Sequence, residues 1–272
     1  MMIRRPSVAG QFYPYDSSVL YQTIKEMVED VPKKRAVGVM SPHAGYMYSG
    51  TVAAKVFSRV EAADTYVILG PNHTGMGPDF SMMTEGVWQM PLGEVRVDGI
   101  LAKEMLSRSK YLEDDFTAHQ REHSIEVQLP FIQYFKKDFQ IVPIAVKHYI
   151  PDGNFLKNLA DIADAIAEGI KKTKLKVLIV ASTDLTHYES QEKANANDKL
   201  VLDSVLALDE GRLFEAVREN DISMCGYAPT AVMLMAAKSL GAKKAELAGY
   251  MTSGDTTGDY SAVVGYGGII VR

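Results

Sequence analysis

Three apolar runs, each long enough for one buried strand, break directly into short polar loops that carry histidine. The three segments are AVGVMSPHAGYMYSG, YVILGPNHTG and KVLIVASTDLTHY. Parallel strands of an α/β sheet present their carboxyl ends along one edge, which is where ligands bind in such folds. We therefore expect His43, His73, Asp184 and His187 to converge on one crevice.

Helical patterns separate the strand-like runs, and this alternation fixes the expected fold class. It predicts a single α/β domain over residues 1–272, with a mostly parallel mixed sheet covered by helices on both faces. Residues 80–97 are predicted to form a hairpin beside the main sheet, with a turn around Pro91-Leu92-Gly93. Residues 122–135 are predicted to form a helix with a kink or a break at Pro130.

Composition excludes several classes of function. The chain has 29 Lys and Arg against 34 Asp and Glu, a net charge of −5, which argues against nucleic acid as a partner. It contains no apolar run of the roughly 18 residues that a membrane span needs, and its first residues lack an apolar signal core. A cytoplasmic location without membrane partners is therefore expected. The single cysteine excludes an intramolecular disulfide and fits a reducing compartment.

Imidazole nitrogen and thiolate sulfur are borderline to soft metal donors. If His43, His73 and Cys225 meet, they would form a site for Fe(II), Zn or Cu. Cys225 precedes a predicted helix, whose N-terminal partial charge would favour thiolate. The alternative is that each histidine is only hydrogen-bonded within its loop. A Ser-His-Asp hydrolase built on Ser41 or Ser182 is disfavoured, because the G-x-S-x-G elbow is absent.

Two further loops supply candidates for catalysis and substrate binding. In STDLTHY, His187 is a candidate general base that Asp184 orients, while the alternative makes Asp184 only a helix N-cap. The loop TSGDTTGDYS offers Ser253 and Asp255 as polar contacts to a molecule in the crevice, and Tyr48 is expected to line it.

The segment HQREHSIEVQLPF allows two other interpretations. His119, Glu122 and His123 match the H-x-x-E-H pattern of inverted zinc peptidases, in which both histidines share one helical face. No third ligand follows in the expected helical context. The alternative is that Glu122 and Glu126 occupy a solvated first turn, favoured there by the helix dipole.

Eight sequence blocks together resemble one known family. RPSVAGQFYP, SPHAGYMYSG, GPNHTG, MPLGEVRVD, EHSIEVQLPF, ASTDLTHY, MCGYAPT and TSGDTTGDY cover nearly the whole chain. The chain is identified on these blocks as a member of the Memo family, whose bacterial and archaeal members are also called AmmeMemoRadiSam system protein B. That family resembles the LigB-type class III extradiol dioxygenases, non-haem iron enzymes that open catechol rings.

The resemblance implies a metal pocket built from His43, His73 and Cys225, with the cysteine where the dioxygenases present a glutamate. It also implies that His187 is the base, with Asp184 close by, and that His123 lines the pocket.

Two functions follow as expectations. One is a metal-dependent redox or dioxygenase-like enzyme, with Fe(II) favoured over Cu or Zn. The other is a non-catalytic module that binds a metal, a peptide or a small molecule in an inherited pocket. The system name alone adds a radical SAM enzyme and an AMMECR1-like protein as expected partners.

Overall fold

The structure is a computed structural model that describes residues 2–149 and 153–272. Within these residues, no helix is both long and apolar enough to cross a membrane. The strands are β1 Ile3–Arg4, β2 Gly38–Ser41, β3 Thr65–Asn72, β4 Phe80–Met82, β5 Val87–Met90, β6 Gly93–Val97, β7 Glu113–Asp114, β8 Gln140–Lys147, β9 Val177–Ser182, β10 His187–Glu189, β11 Ala245–Thr252 and β12 Val263–Val271. The α-helices are α1 Ser17–Met27, α2 Tyr46–Ser58, α3 Gly99–Leu106, α4 Leu129–Phe135, α5 Gly153–Lys172, α6 Gln191–Leu206, α7 Glu210–Glu219, α8 Tyr227–Ser239 and α9 Gly254–Thr257.

The strands form one mixed sheet, and its centre is parallel. In the order β6-β8-β3-β9-β2, every neighbouring pair is parallel. On the far side of β2, β12 pairs antiparallel with β2, β10 and β11. The carboxyl ends of β2, β3 and β9 therefore meet at one edge of the sheet, as the sequence predicts.

Alternate residues of the central strands divide the core between the two faces of the sheet. Val67 and Leu69 of β3 pack into the cluster that includes α5 and α8, whereas Tyr66 and Ile68 pack into the cluster that includes α1 and α2. This period of two explains why the central strands read as continuous apolar runs, since both faces are covered by helices. The predicted α/β class is confirmed.

The predicted hairpin and the predicted helix at Pro130 each differ in part from the structure. The predicted hairpin is confirmed over residues 87–97, where β5 and β6 pair antiparallel across a turn at residues 91–92. It belongs to the main sheet through β8 instead of lying beside it, and residues 80–82 pair with β8 separately. The helix predicted over 122–135 is wrong in its first half, where a loop and one 3-10 turn, Glu126–Gln128, replace it. Pro130 lies in the first turn of α4, where a missing N–H costs nothing, so the proline marks the start of the helix.

A buried ion pair ties the first strand to the loop before α4. The Arg4 guanidinium bonds the Glu126 carboxylate, and both side chains are fully buried. The same carboxylate accepts hydrogen bonds from the Tyr13 hydroxyl and from the backbone N–H groups of Ser7 and Val8. The prediction that Glu126 lies on a solvated turn is therefore wrong. Its charge tolerates burial because it receives hydrogen bonds from these four donors.

We expect Glu126→Gln to destabilise the protein by about 3 kcal/mol, because it leaves the Arg4 charge buried without a counter-ion. Urea denaturation gives the free energy of unfolding. The control is Glu246→Gln, which weakens the part-exposed contacts with Lys34 and Arg272 and should cost less than about 1 kcal/mol. Equal losses in the two variants would contradict the assignment of Glu126 as a buried anchor.

Candidate metal centre

The histidine loops lie where the parallel strands end. His43 lies two residues after the end of β2 at Ser41, and His73 comes directly after the end of β3. Between β2 and β3 lies β9, which ends at Ser182 and delivers Asp184 to the same edge. The edge of the sheet thus gathers side chains that are distant in the sequence.

A third histidine joins the first two from a loop without regular structure. One ring nitrogen from each of His43, His73 and His123 lies within 4.8 Å of those of the other two. The ring centroids are 5.3 Å apart for His43 and His73, 5.5 Å for His43 and His123, and 4.7 Å for His73 and His123. We call these three residues the histidine cluster, and they could hold a metal ion.

The Glu122 carboxylate holds two members of the cluster in place. It accepts hydrogen bonds from the backbone N–H of His73 at 2.5 Å and from the backbone N–H groups of His123 and Ser124 at 2.8 Å. It also lies 2.9 Å from His73 Nδ1 and 3.4 Å from His123 Nδ1. Because a carboxylate only accepts, His73 carries its proton on Nδ1 and leaves Nε2 free for an ion.

Ser182 fixes the tautomer of His43 in the same way. The Ser182 hydroxyl donates to the carbonyl of Ser124 at 2.6 Å and accepts from Gln128 Nε2 at 2.8 Å. Its only proton is therefore in use, so His43 Nδ1, at 3.0 Å, must be the donor to Ser182 Oγ. The lone pair of His43 is then on Nε2, the nitrogen next to Cys225.

Cys225 lies at the edge of the histidine cluster. Its Sγ is 3.5 Å from His43 Nε2 and accepts from the backbone N–H of Asp184 at 3.3 Å. Gly226 permits this position, because a Cβ there would come within 2.6 Å of the Ser182 carbonyl oxygen. The sulfur is thus near one imidazole, but it is not one of the three mutually close donors. Its predicted role as a ligand stays a prediction.

Asp184 and His187 flank the cluster on a loop and a strand. No helix follows Asp184, so the N-cap interpretation is wrong; its carboxylate instead accepts from the backbone N–H of His43 at 2.8 Å. His187 begins β10 and lies close enough that its charge would lower the pKa of His43. Its Nδ1 is buried without a hydrogen-bond partner among the described residues.

The pKa values of the cluster are set by burial and by Glu122. Burial, then the neighbouring histidines, holds the pKa of His43 well below its ordinary value. Burial also lowers the pKa of His123. Burial opposes the charged form of His73 too, but the hydrogen bond and charge of Glu122 outweigh it and raise the pKa of His73. Burial would raise the pKa of Glu122, yet the same contacts with His73 hold it at about 2.

The thiol and the aspartate respond in the opposite direction. Burial, followed by the charge of Asp184, raises the pKa of the Cys225 thiol, so the thiolate expected from the nearby helix is not favoured in the metal-free protein. Burial likewise raises the pKa of Asp184, against the backbone hydrogen bond from His43. A divalent cation would reverse both effects, since a coordinated thiol loses its proton.

His119 lies apart from the cluster. It sits in a 3-10 turn, Thr117–His119, with its ring 6.0 Å from that of Trp88, whereas His123 lies in the following loop. The two histidines therefore share no helical face, and the H-x-x-E-H interpretation is wrong. Both ring nitrogens of His119 are buried, and the polar groups around them are the Ser81 backbone, the Arg4 guanidinium and the carboxylates of Asp115 and Glu122.

The predicted substrate contacts lie around a second recess. Tyr48 and Ser253 line a cavity of about 300 Å³ beside β10. Asp255 is exposed in the short helix α9, and its carboxylate accepts from the backbone N–H of Thr252 at 2.8 Å. Asp255 thus braces the end of β11, while its predicted contact with substrate stays a prediction.

Sequence reasoning missed the residues that orient the histidines. The sequence pattern indicates Glu122 only as a solvated residue or a peptidase residue, and Ser182 only as a nucleophile. It indicates no role for Gln128. The available signal was the position of Ser182 at the end of a buried strand, next to the candidate Asp184.

Comparisons with known proteins show the family to which the chain belongs. Residues 4–270 match the family model described as Memo-like protein. A MEMO1 family protein of Methanopyrus kandleri is 41% identical over 286 residues, covering 100% of this chain and 99% of the relative. A MEMO1 family protein of Methanothermobacter thermautotrophicus is 42% identical over 278 residues, covering 97% and 99%. Among solved structures, an uncharacterized protein from Escherichia coli K12 aligns with a TM-score of 0.54 at 11% identity, covering 86% of this chain and 99% of that one, a likeness of fold alone.

Fold and site together define an α/β protein with a three-histidine centre, at one edge of its sheet, that is able to hold a metal ion. The sequence comparisons place it more narrowly. The chain belongs to the Memo family.

We expect Glu122→Gln to weaken metal binding by about 10- to 100-fold, because it removes the acceptor that orients His73 and His123. In the unchanged protein, the pKa of His73 is raised above 6.5. As the pH is lowered, protons compete with the metal for this ring, so metal affinity should already begin to fall above pH 6.5. The variant should shift that fall to lower pH. Chelator competition with Zn(II) between pH 5.5 and 8 measures both effects, with exposed Glu113→Gln as the control. An unchanged affinity and pH profile would sink this role for Glu122.

The folded protein keeps His119 neutral, because burial lowers its pKa from 6.5 to about 4. The resulting stabilisation is complete above pH 6.5 and is lost as the pH falls toward 4. As the pH is lowered from 7 to 4, the free energy of unfolding of the unchanged protein should therefore fall by about 3 kcal/mol more than that of His119→Phe. Urea titrations across this range test it, and exposed His148→Phe should show no such trend. Parallel curves for His119→Phe and the unchanged protein would contradict it.

Proposed function

We propose that this chain is a metal-dependent oxidoreductase, with a first-row transition metal bound by the histidine cluster and Fe(II) favoured over Cu or Zn. The observation that carries the proposal is the orientation of the rings. Hydrogen bonds from Nδ1 of His43 and His73 to Ser182 and Glu122 leave Nε2 of both available as donors.

The chemistry of the donor set supports a transition metal over a hard cation. Mg and Ca prefer carboxylate and carbonyl oxygen, whereas three imidazoles and a nearby thiol suit Fe, Cu or Zn. Two donor sets are consistent with the geometry: His43, His73 and His123, or His43, His73 and Cys225. A bound metal would supply Lewis acidity and electron transfer to a coordinated substrate.

The chain's own residues would handle protons. His187 begins β10 beside Asp184, and its imidazole is proposed to accept a proton from a substrate hydroxyl in the crevice. Asp184 holds the His43 backbone and adds negative charge beside His187, which would stabilise the imidazolium that forms. His187 is therefore proposed as the base and Asp184 as a positioning residue.

The alternative is a binding module that holds a metal, a peptide or a small molecule without turnover. It is supported by the Cys225 thiol beside His43 Nε2, in the position where the related dioxygenases present a glutamate, because loss of that carboxylate ligand weakens the case for oxygen chemistry. The association with a radical SAM enzyme and an AMMECR1-like protein likewise stays a prediction, which co-purification can test.

Anaerobic reconstitution with Fe(II), followed by metal analysis, tests the site. We expect about one metal ion per chain, lost in His43→Ala and in His73→Ala and retained in His148→Ala, a histidine outside the cluster. Comparing His123→Ala with Cys225→Ser distinguishes the two donor sets, because only the true third ligand abolishes binding. Metal content unchanged by His43→Ala would reject the centre.

Oxygen uptake with a panel of catechols then separates the enzyme from the binding module. Turnover should fall about 10²- to 10⁴-fold in His187→Gln while metal content stays at the level of the unchanged protein. A fully metal-loaded protein that consumes no oxygen with any substrate would favour the binding module.

A further inference from the structure

A cavity of about 300 Å³ is lined by three tyrosines, and one of them, Tyr188, has its ring 5.8 Å from that of His187. We call it the tyrosine cavity and define it by Tyr48, Tyr188, Ser253, Asp259 and Tyr266. Tyr266 connects it to the centre. Tyr266 follows Gly265, whose carbonyl accepts from the backbone N–H of Leu185 at 2.8 Å, so the cavity wall lies next to the loop that carries Asp184. Burial raises the pKa of Tyr266, and the charge of Asp184 raises it further.

Tyr188 reaches this cavity through a distortion of the backbone. In β10, His187 pairs with Val264 and Glu189 pairs with Val263, so Tyr188 is the extra residue of a β-bulge. Its φ is 59°, a backbone conformation that residues other than glycine rarely adopt. Bulges beside active sites redirect a side chain, and this one leaves the Tyr188 ring 79% exposed, next to His187.

The cavity carries negative charge without a compensating cation. Asp259 lies in its wall, and its Oδ1 accepts from the backbone N–H and the hydroxyl of Ser261, which keep it a carboxylate. None of the described residues that line the cavity is a lysine, an arginine or a histidine. Phenol oxygens accept hydrogen bonds, and aromatic faces attract cations.

We infer that the tyrosine cavity is the specificity site for the part of the substrate that points away from the metal, and that it selects a positively charged amine over a carboxylate. Tyr188 provides the aromatic contact and Asp259 sets the sign of the charge. The inference deepens the proposed function and rests on it, since the cavity adjoins the proposed centre through Tyr266 and Asp184.

Phenethylamine and hydrocinnamate test this inference, because they share a phenyl ring and a two-carbon chain but differ in the sign of their charge. Binding is measured by calorimetry on full-length, metal-free protein at pH 7.5, so that a failure of the metal proposal does not affect the result. We expect phenethylamine to bind about fivefold or more tightly than hydrocinnamate. Asp259→Asn should bring the ratio close to one.

Tyr188→Gly removes the ring while keeping a residue suited to positive φ, so it should weaken amine binding about threefold without destabilising the fold. The exposed residues Tyr15 and Asp30, outside the cavity, supply the control variants Tyr15→Ala and Asp30→Asn, which should bind like the unchanged protein. Equal binding of the two probes, no amine binding at millimolar concentration, or a ratio unaffected by Asp259→Asn would each overturn the inference. Metal content, measured separately, reports on the proposed function alone.

Discussion

The buried carboxylate of Glu122 is the interaction on which the metal centre depends. Burying an ionised carboxylate is costly unless donors surround it, and here three backbone N–H groups and the His73 ring supply them. These bonds join the end of β3 to the loop that carries His123. Two histidines from different parts of the chain are therefore held against one charge, and their rings stack at 4.7 Å.

A second set of hydrogen bonds fixes the remaining histidine. Ser182, at the end of β9, contacts His43 and Gln128 and donates to the carbonyl of Ser124. Because Ser124 also gives its N–H to Glu122, the two sets meet at this residue. The parallel strands thus bring the imidazole rings close together, and the hydrogen bonds to Nδ1 determine that Nε2 faces the centre in His43 and His73.

The parts of this arrangement that the sequence predicts are those that follow from local patterns. His43, His73 and Asp184 each follow a continuous apolar run, so the sheet edge where they meet could be inferred from strand burial alone. Glu122 could not be assigned that way, because its partner His73 lies 49 residues earlier. Local pattern also misled, since a charged residue ahead of an apolar segment is more often a solvated helix start.

Glu122 and Glu126 together fix the loop that carries His123, the candidate ligand without regular secondary structure. Glu126 binds the N-terminal segment through Arg4 and Tyr13. The same segment also contacts the site, because the Phe12 ring lies 4.8 Å from that of His123. The Phe12 carbonyl accepts a hydrogen bond from the backbone N–H of Tyr46. The loop between the two glutamates is therefore fixed from both sides, toward β3 by one carboxylate and toward β1 by the other. The Glu122 carboxylate accepts the backbone N–H groups of His123 and Ser124 that a helix or a strand would otherwise satisfy, and the His123 ring meets the rings at the ends of β2 and β3.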